Sequence, residues 1–241
     1  MKTLYCHGLP GGASDFVIAG LATDARPRIV APIGDDTSPS RSWEGSARLV
    51  AFSLGAYSAL TLASAHPDRV RELVLISPAA PLELGDFLSH MAGAPVFRAA
   101  KGPRSRLVWL TRLQSAALAM APNITAKALF ANATPSERTL MAQPENRAAL
   151  LRGMRQSYGT DRDAYLATLR AYVRPWSNRL DSVTAPVRIL HGTADGWAAP
   201  AMAEALADKL GTRVEWQDDL GHYGTLRATL PRMLPGQGQS G

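Results

Sequence analysis

The chain has 241 residues, of which 46% are hydrophobic and 19% charged, and its formal net charge at pH 7 is +6. This composition is typical of a globular protein with a large core, and no apolar run reaches the roughly 18 residues that a membrane-spanning helix needs. The single cysteine, Cys6, excludes an intramolecular disulfide and a cysteine metal cluster. The apolar stretch at the N-terminus is too short for a secretory signal, so we expect a cytoplasmic protein.

The first third of the chain alternates between strand and helix patterns. Short apolar runs predict strands over residues 3–9, 28–33, 47–53 and 72–79, and longer runs of helix formers predict helices over 14–24 and 55–66. The same alternation returns in the last quarter, with strands over 187–192 and 213–218, a helix over 200–211 and a terminal helix from about Gly224. Strands that are apolar throughout indicate a parallel sheet covered on both faces, so we expect a doubly wound α/β fold.

Between about Pro81 and Trp176 the strand patterns disappear. Helical patterns replace them over residues 104–121, 125–133, 135–143, 145–158 and 162–173. Thr134, followed three residues later by glutamate, predicts a capping box, and Asp161 is a candidate N-cap for the last of these helices. We therefore expect a core made of residues 1–80 and 177–235, an all-helical lid over 81–176 and a disordered tail over 236–241.

The excess positive charge lies in this helical segment. Residues 82–180 contain 14 Lys/Arg and six Asp/Glu, a balance of +8, whereas the remainder of the chain has a balance of −2. The arginines are scattered and have no interleaved aromatic residues, which does not favour a nucleic-acid surface. Solvated helix faces are the simplest interpretation, and binding of an enzyme to an anionic lipid surface is a further hypothesis.

Four short motifs follow predicted strands, at the edge where open α/β sheets bind their ligands. These are "HGLPGG" at residues 7–12, Ser53 within "AFSLG", Asp195 within "HGTADGW" and His222 within "DDLGHYG". A serine hydroxyl becomes a good nucleophile only beside a base that a carboxylate orients. The order serine, aspartate, histidine therefore predicts a catalytic triad in which Ser53 attacks, His222 moves the proton and Asp195 orients His222.

These motifs resemble the α/β-hydrolase superfamily, in its lidded, esterase-like branch, over residues 3–80 and 183–226. The resemblance implies that the backbone N–H groups of Leu9 and Leu54 form an oxyanion hole. The chain departs from the pattern at Ala51, where the G-x-S-x-G motif has glycine, and in the segment after Asp195, which is one residue longer and contains Trp197.

The resemblance also sets expectations for the sheet. The family has two further strands before the first strand found here, so we expect a compact, parallel sheet of six strands in the order 2-1-3-4-5-6. Only about a dozen residues connect the second and third strands, where the family has a helix. We expect this short connection to leave the sheet face near Trp43 thinly covered and open to contact with a second copy of the chain.

Other interpretations of the same residues remain open. Ser53 could cap a helix, Asp195 could belong to a turn, and Asp218 or Asp219 could replace it as the acid, although both lie close to His222 in the chain. The favoured activity is hydrolysis of a carboxylic ester, including a lactone or thioester, through an acyl-enzyme. A carbon–carbon bond hydrolase or an acyltransferase would use the same triad, and a ligand-binding protein on the same fold is an alternative of another class.

The predicted ligand is a small ester-like molecule, with no metal, cofactor or nucleic acid, bound by a monomer or homodimer that does not insert stably into a membrane. Trp197 and Tyr223, which neighbour the predicted acid and base, are the candidate substrate-binding residues. The helical segment could add an apolar acyl or alcohol pocket, for which the candidates are Trp109, Leu110, Leu113, Phe130 and Met154.

Overall fold

The structure is a computed structural model that describes residues 1–21, 28–30 and 43–234. Six parallel strands form one sheet in the order β2-β1-β3-β4-β5-β6, which confirms the predicted order. The strands are β1 (Lys2–Cys6), β2 (Arg28–Val30), β3 (Ala47–Phe52), β4 (Val70–Ile76), β5 (Val187–Gly192) and β6 (Val214–Gln217). The central strands are buried along most of their length, as their continuous apolar runs predict.

Among the described residues, four helices accompany the strands of the core: α1 (Ser14–Ile18), α2 (Gly55–Ala65), α9 (Pro200–Leu210) and α10 (His222–Met233). Helices α1 and α10 contact each other, whereas α2 and α9 both contact the 3₁₀ helix Ser177–Ser182. The core helices thus pack in two groups, which is the arrangement expected of a doubly wound sheet. None of the helices in the described ranges is long and apolar enough to cross a bilayer.

Two helix boundaries in the core differ by two or more residues from the predictions. Helix α1 stops at Ile18 rather than at residue 24, and Gly20 takes a φ of +77°, a left-handed conformation that suits glycine and ends the helix. Helix α10 begins at His222 and not at Gly224. The predicted base is therefore the first residue of a helix, where the backbone N–H groups have no partner within the helix itself.

Six helices lie between β4 and β5, where the sequence predicts a helical insertion: α3 (Ala94–Lys101), α4 (Arg104–Met120), α5 (Pro122–Leu129), α6 (Pro135–Ala142), α7 (Pro144–Tyr158) and α8 (Arg162–Tyr172). Helix α3 was not predicted. The two ends of the insertion are joined by hydrogen bonds. Tyr172 Oη donates to Ala80 O at 2.6 Å, and Glu83 Oε1 accepts from the N–H groups of Trp176 and Ser177, both at 2.6 Å.

The two predicted caps have different outcomes. Thr134 is the N-cap of α6, and its hydroxyl accepts a hydrogen bond from the N–H of Glu137 at 3.2 Å. Asp161 does precede α8, but its carboxylate makes no capping bond and accepts instead from Gln156 Nε2 at 2.7 Å. The predicted N-cap position of Asp161 is therefore confirmed, but the capping hydrogen bond is not formed.

Trp43 itself is buried. Its side chain is 4% exposed, with the guanidinium of Arg69 4.5 Å from the ring centroid and the His66 ring against it edge-on. These contacts cover Trp43 without a second copy of the chain. Most of the short connection between the second and third strands lies within residues 31–42, which are outside the described residues, so a thin cover of this sheet face and contact with a second copy stay predictions. The predicted disordered tail at 236–241 is also outside the described residues.

Candidate active site

Ser53 occupies a sharp turn between β3 and α2. Its φ is +55°, which is a strained conformation for a residue with a side chain. Backbone hydrogen bonds hold the turn: Ser53 N–H donates to Ile76 O at 3.0 Å, and Ser53 O accepts from the N–H groups of Ala56 and Ala79, both at 3.1 Å. A helix cap does not require a positive φ, so this geometry favours the nucleophile interpretation of Ser53 over the capping one.

The glycine after Ser53 is required by packing between β1 and α2. A β-carbon at Gly55 would overlap the carbonyl oxygen of Cys6 and lie 2.7 Å from that of His7. Ala51, two residues before Ser53, is fully buried within β3, and its methyl group is accommodated there. The two small-residue positions of the motif are therefore unequal: the second admits no side chain, whereas the first admits a methyl group.

Asp195 and His222 form a buried pair at the same edge of the sheet. His222 Nδ1 lies 2.7 Å from Asp195 Oδ2, and the two side chains are at most 4% exposed. Asp195 Oδ1 accepts from the N–H groups of Trp197 and Ala198 at 2.8 and 2.9 Å. These amides fix the carboxylate, so it can hold the imidazole with Nδ1 protonated and Nε2 free to accept a proton.

The pKa values of this pair are shifted in opposite directions. Burial alone would raise the pKa of Asp195, but attraction to His222 and the hydrogen bond to it outweigh burial and lower the pKa. Burial alone would lower the pKa of His222, but the charge and hydrogen bond of Asp195, with contributions from Glu137 and Asp15, raise it above its usual value. The pair therefore favours a carboxylate beside a histidine that binds a proton readily.

Ser53 and His222 line one cavity of about 190 Å³ between the sheet edge and the helical insertion. Most of its wall is apolar. Four of the other predicted site residues also contribute to the wall, namely Leu9, Leu54, Trp197 and Tyr223. The rings of Trp197 and Tyr223 lie 6.3 and 5.5 Å from the His222 ring, centroid to centroid. Six of the seven predicted residues thus line a single space, and the seventh, Asp195, is joined to it through its hydrogen bond with His222.

Two backbone N–H groups in this cavity are available to a ligand. Within the described residues, neither the N–H of Leu9 nor that of Leu54 donates a hydrogen bond. Leu54 immediately precedes α2, so its N–H is at the positive end of that helix. A substrate oxygen that becomes negative could accept from both groups, which is the role expected of an oxyanion hole.

Sequence reasoning missed Asp15, which supports the loop that carries Leu9. Its side chain is buried, and Oδ2 accepts from Tyr5 Oη at 2.9 Å and from the N–H of Gly8 at 3.3 Å. Burial raises the pKa of Asp15 to about 7. An aspartate in the first turn of a helix is normally read as a solvent-exposed stabiliser of the helix dipole, so its sequence position did not point to this role.

The apolar residues proposed from the insertion have mixed positions. Leu110 lines the cavity, and Phe130 is buried with its ring 5.8 Å from each of the Trp197 and Tyr223 rings. Met154 is buried in the core. Trp109 and Leu113, however, are 66% and 52% exposed, so their assignment to a substrate pocket is wrong.

A second, more open groove of about 940 Å³ adjoins the cavity. The two share part of their walls, including Met91, Leu129 and Trp197. Among the described residues, no cluster of three or more histidine, cysteine, aspartate or glutamate side chains could hold a metal ion.

Comparison with known families agrees with this geometry. A sequence profile described as the alpha/beta hydrolase fold matches residues 45–226, which is more than half of the chain. The chain belongs to the α/β-hydrolase family. A comparison with curated protein sequences gives no match.

Solved structures of other α/β hydrolases share the fold. An esterase from Thermogutta terrifontis has a TM-score of 0.60 at 16% identity, with 97% of this chain and 86% of that chain covered. An enol-lactonase from Burkholderia xenovorans has a TM-score of 0.61 at 16% identity, covering 96% and 87%. A proline iminopeptidase from Mycobacterium smegmatis has a TM-score of 0.56 at 17% identity, covering 97% and 89%. At these identities the similarity establishes the fold alone.

The turn at Ser53 predicts that substitutions at its two small residues lower the free energy of unfolding by different amounts. Gly55→Ala places a methyl group against the Cys6 carbonyl, so we expect misfolding or a loss of about 3 kcal/mol or more in the free energy of unfolding. Ala51→Gly restores the usual motif and should cost only about 0.5–1 kcal/mol, the typical cost of glycine in a strand. Urea unfolding of both variants measures the difference, and equal losses would contradict the assignment of the close contact to Gly55.

Asp15 predicts a pH dependence of stability. A carboxyl group whose pKa is higher in the folded than in the unfolded protein stabilises the fold at low pH, and this contribution is lost as the pH rises through the folded pKa. The shift of the pKa from 3.8 to about 7 means that the free energy of unfolding should decrease as the pH rises from 4 to 8. We expect this decrease to be smaller in Asp15→Asn. Urea unfolding across this range tests the prediction. Asp163→Asn, at an exposed position on α8, is the control and should leave the wild-type slope unchanged.

Proposed function

We propose that this protein is a serine hydrolase that cleaves carboxylic esters through an acyl-enzyme on Ser53. The observation that carries the proposal is the convergence of three features in one cavity: Ser53 on a strained turn, a buried Asp195–His222 hydrogen bond and two free backbone N–H groups. Membership of the α/β-hydrolase family supports hydrolysis as the reaction class.

The proposed reaction has two halves. In the first, His222 Nε2 takes the Ser53 proton as Oγ attacks the ester carbonyl, and the N–H groups of Leu9 and Leu54 bind the oxyanion. The intermediate collapses as His222 returns the proton to the leaving alcohol, which leaves an acyl group on Ser53. In the second half, His222 deprotonates a water molecule that attacks the acyl-enzyme, and it then returns this proton to Ser53 Oγ as the carboxylic acid is released.

The cavity wall supports an apolar acyl or alcohol group as the recognised part of the substrate. Leucine, phenylalanine, methionine and valine side chains dominate the wall, and its volume of about 190 Å³ suits a small to medium group. The adjoining groove offers space beyond Trp197 for a larger second part of the substrate.

Labelling by a fluorophosphonate probe tests the nucleophile. The wild-type protein should be labelled and should hydrolyse short p-nitrophenyl esters, whereas Ser53→Ala should lose labelling and at least about 1,000-fold in kcat. Ser105→Ala, at an exposed serine of α4, is the control and should retain both. A wild-type protein that is neither labelled nor active on esters of any acyl length would overturn the proposal in favour of a ligand-binding protein.

The same assay separates hydrolysis from related chemistry. An acyltransferase with this triad would favour an added alcohol or thiol over water as the acceptor, so its product would be a new ester rather than the free acid. A carbon–carbon bond hydrolase would leave simple esters largely uncleaved while still reacting with the probe through Ser53. Product analysis with and without added acceptor distinguishes these outcomes from ester hydrolysis.

The raised pKa of His222 predicts the pH profile of the reaction. The base must be neutral to take the Ser53 proton, so activity falls as the pH drops through its pKa. We therefore expect the acid limb of log(kcat/KM) to lie above the value of about 6.5 that is usual for histidine. An acid limb below that value would contradict the proposed environment of His222.

A further inference from the structure

Helix α10, which begins at His222, lacks a capping side chain of its own. Its N-cap residue is Gly221, and no side-chain oxygen from that position can accept from the first turn. The missing acceptor comes from the helical insertion: Glu137 Oε1, on α6, accepts from the N–H of Tyr223 at 2.6 Å. The Glu137 side chain also interacts with the N–H of Gly224. Glu137 thus caps α10 from 86 residues away in the chain.

Gly221 is the residue that makes room for this carboxylate. A β-carbon at position 221 would overlap Glu137 Oε2 and would lie 2.7 Å from Cδ. The backbone of Gly221 has a φ of −84° and a ψ of −170°, which any residue adopts. Glycine is therefore required here by the neighbouring carboxylate and not by the conformation of the chain.

Glu137 is also diverted from its local role. The sequence Thr134–Glu137 predicts a capping box, in which the glutamate would bond back to the N–H of residue 134. Only half of that box forms, because the Glu137 carboxylate points to α10 instead. The Glu137 side chain is 2% exposed, although it carries an ionisable group. A buried carboxylate without this set of donors would be costly.

From these contacts we propose that Glu137 is a positioning residue for His222. It caps the helix that begins at the histidine, and its negative charge stabilises the imidazolium that forms during attack. The kinetic consequences of this inference rest on the proposed serine hydrolase function. The effect of Glu137 on His222 itself can be measured without a substrate. It also gives the helical insertion a part in the reaction that is separate from covering the cavity.

Glu137 acts together with the other groups that face His222. Asp195 is hydrogen-bonded to the imidazole, Asp15 on α1 adds a second negative charge, and the buried His191 on β5 opposes them when protonated. Burial raises the pKa of Glu137, whereas the N–H of Tyr223 and the charge of His222 favour its ionised form. Removing the charge at position 137 alone should therefore lower the pKa of His222 and leave the hydrogen bond with Asp195 in place.

Glu137→Gln removes the charge and retains an oxygen that can accept from Tyr223. We expect the pKa of His222, followed by NMR titration of its ring, to fall, and the acid limb of kcat/KM to move to lower pH. Above that limb, kcat should drop about tenfold with little change in KM, as expected when a reacting group is less well oriented. Glu145→Gln, at an exposed glutamate in the first turn of α7, is the control and should change neither the pKa nor kcat.

A double-mutant cycle tests the contact between Gly221 and Glu137. Gly221→Ala in the wild-type background displaces the carboxylate, so it should lower kcat about tenfold and shift the His222 pKa as Glu137→Gln does. In a Glu137→Ala background, the new methyl group at position 221 fills vacated space and should cost less than about twofold. Additive effects of the two changes, or an unchanged His222 pKa in both single variants, would overturn the proposal.

The readouts separate failure of this inference from failure of the proposed function. If no ester is hydrolysed, the proposed function fails, and the NMR titration still decides whether Glu137 controls the pKa of His222. If Ser53-dependent hydrolysis occurs but Glu137→Gln keeps the wild-type acid limb, only the inference fails. If Glu137→Gln does not fold, Gly221→Ala supplies the same titration without altering the carboxylate itself.

Discussion

The contact between the Cys6 carbonyl and Gly55 is the constraint on which the site depends. Because α2 begins directly against the end of β1, the chain has no room between them for any side chain at position 55. The chain must therefore turn sharply after β3, and Ser53 takes a left-handed conformation to do so. The same close packing brings the loop that carries Leu9 and the start of α2 to one cavity, where both supply free N–H groups.

Electrostatics around His222 are set by three buried carboxylates from different parts of the chain. Asp195 follows β5, Asp15 belongs to α1, and Glu137 belongs to the helical insertion. Each is held by donors: the N–H groups of the loop after Asp195, of Gly8 and of Tyr223, respectively. These donors offset the cost of burying charge, and the combined negative potential favours a protonated imidazole during the reaction. Each of the three carboxylates thus accepts at least one hydrogen bond from a backbone amide.

In the helical insertion, the spacing of apolar residues predicts where helices form but not which of their side chains are buried. Its pattern predicted five of the six helices, because spacing of apolar residues indicates a helix whatever that helix packs against. It did not predict which apolar residues face the cavity. Helix α4 has apolar residues on more than one side, so Leu110 at the cavity and Trp109 and Leu113 at the surface are alike in the sequence. Only the neighbouring helices decide which of these side chains are covered.

The sequence by itself determined the α/β class and pointed to Ser53, Asp195 and His222, because strand ends, turn residues and apolar runs are local properties of the chain. The strand order and the N–H groups of Leu9 and Leu54 were expected from the resemblance to the α/β-hydrolase superfamily. The tertiary structure alone decided the roles of Asp15 and Glu137, the need for glycine at position 221 and the burial of Trp43. Each of these depends on a partner outside the local pattern. Glu137 shows the physical reason most clearly. Its carboxylate could accept a hydrogen bond either from the start of its own helix or from the start of α10, and it accepts from α10, because that buried helix end has no capping side chain of its own.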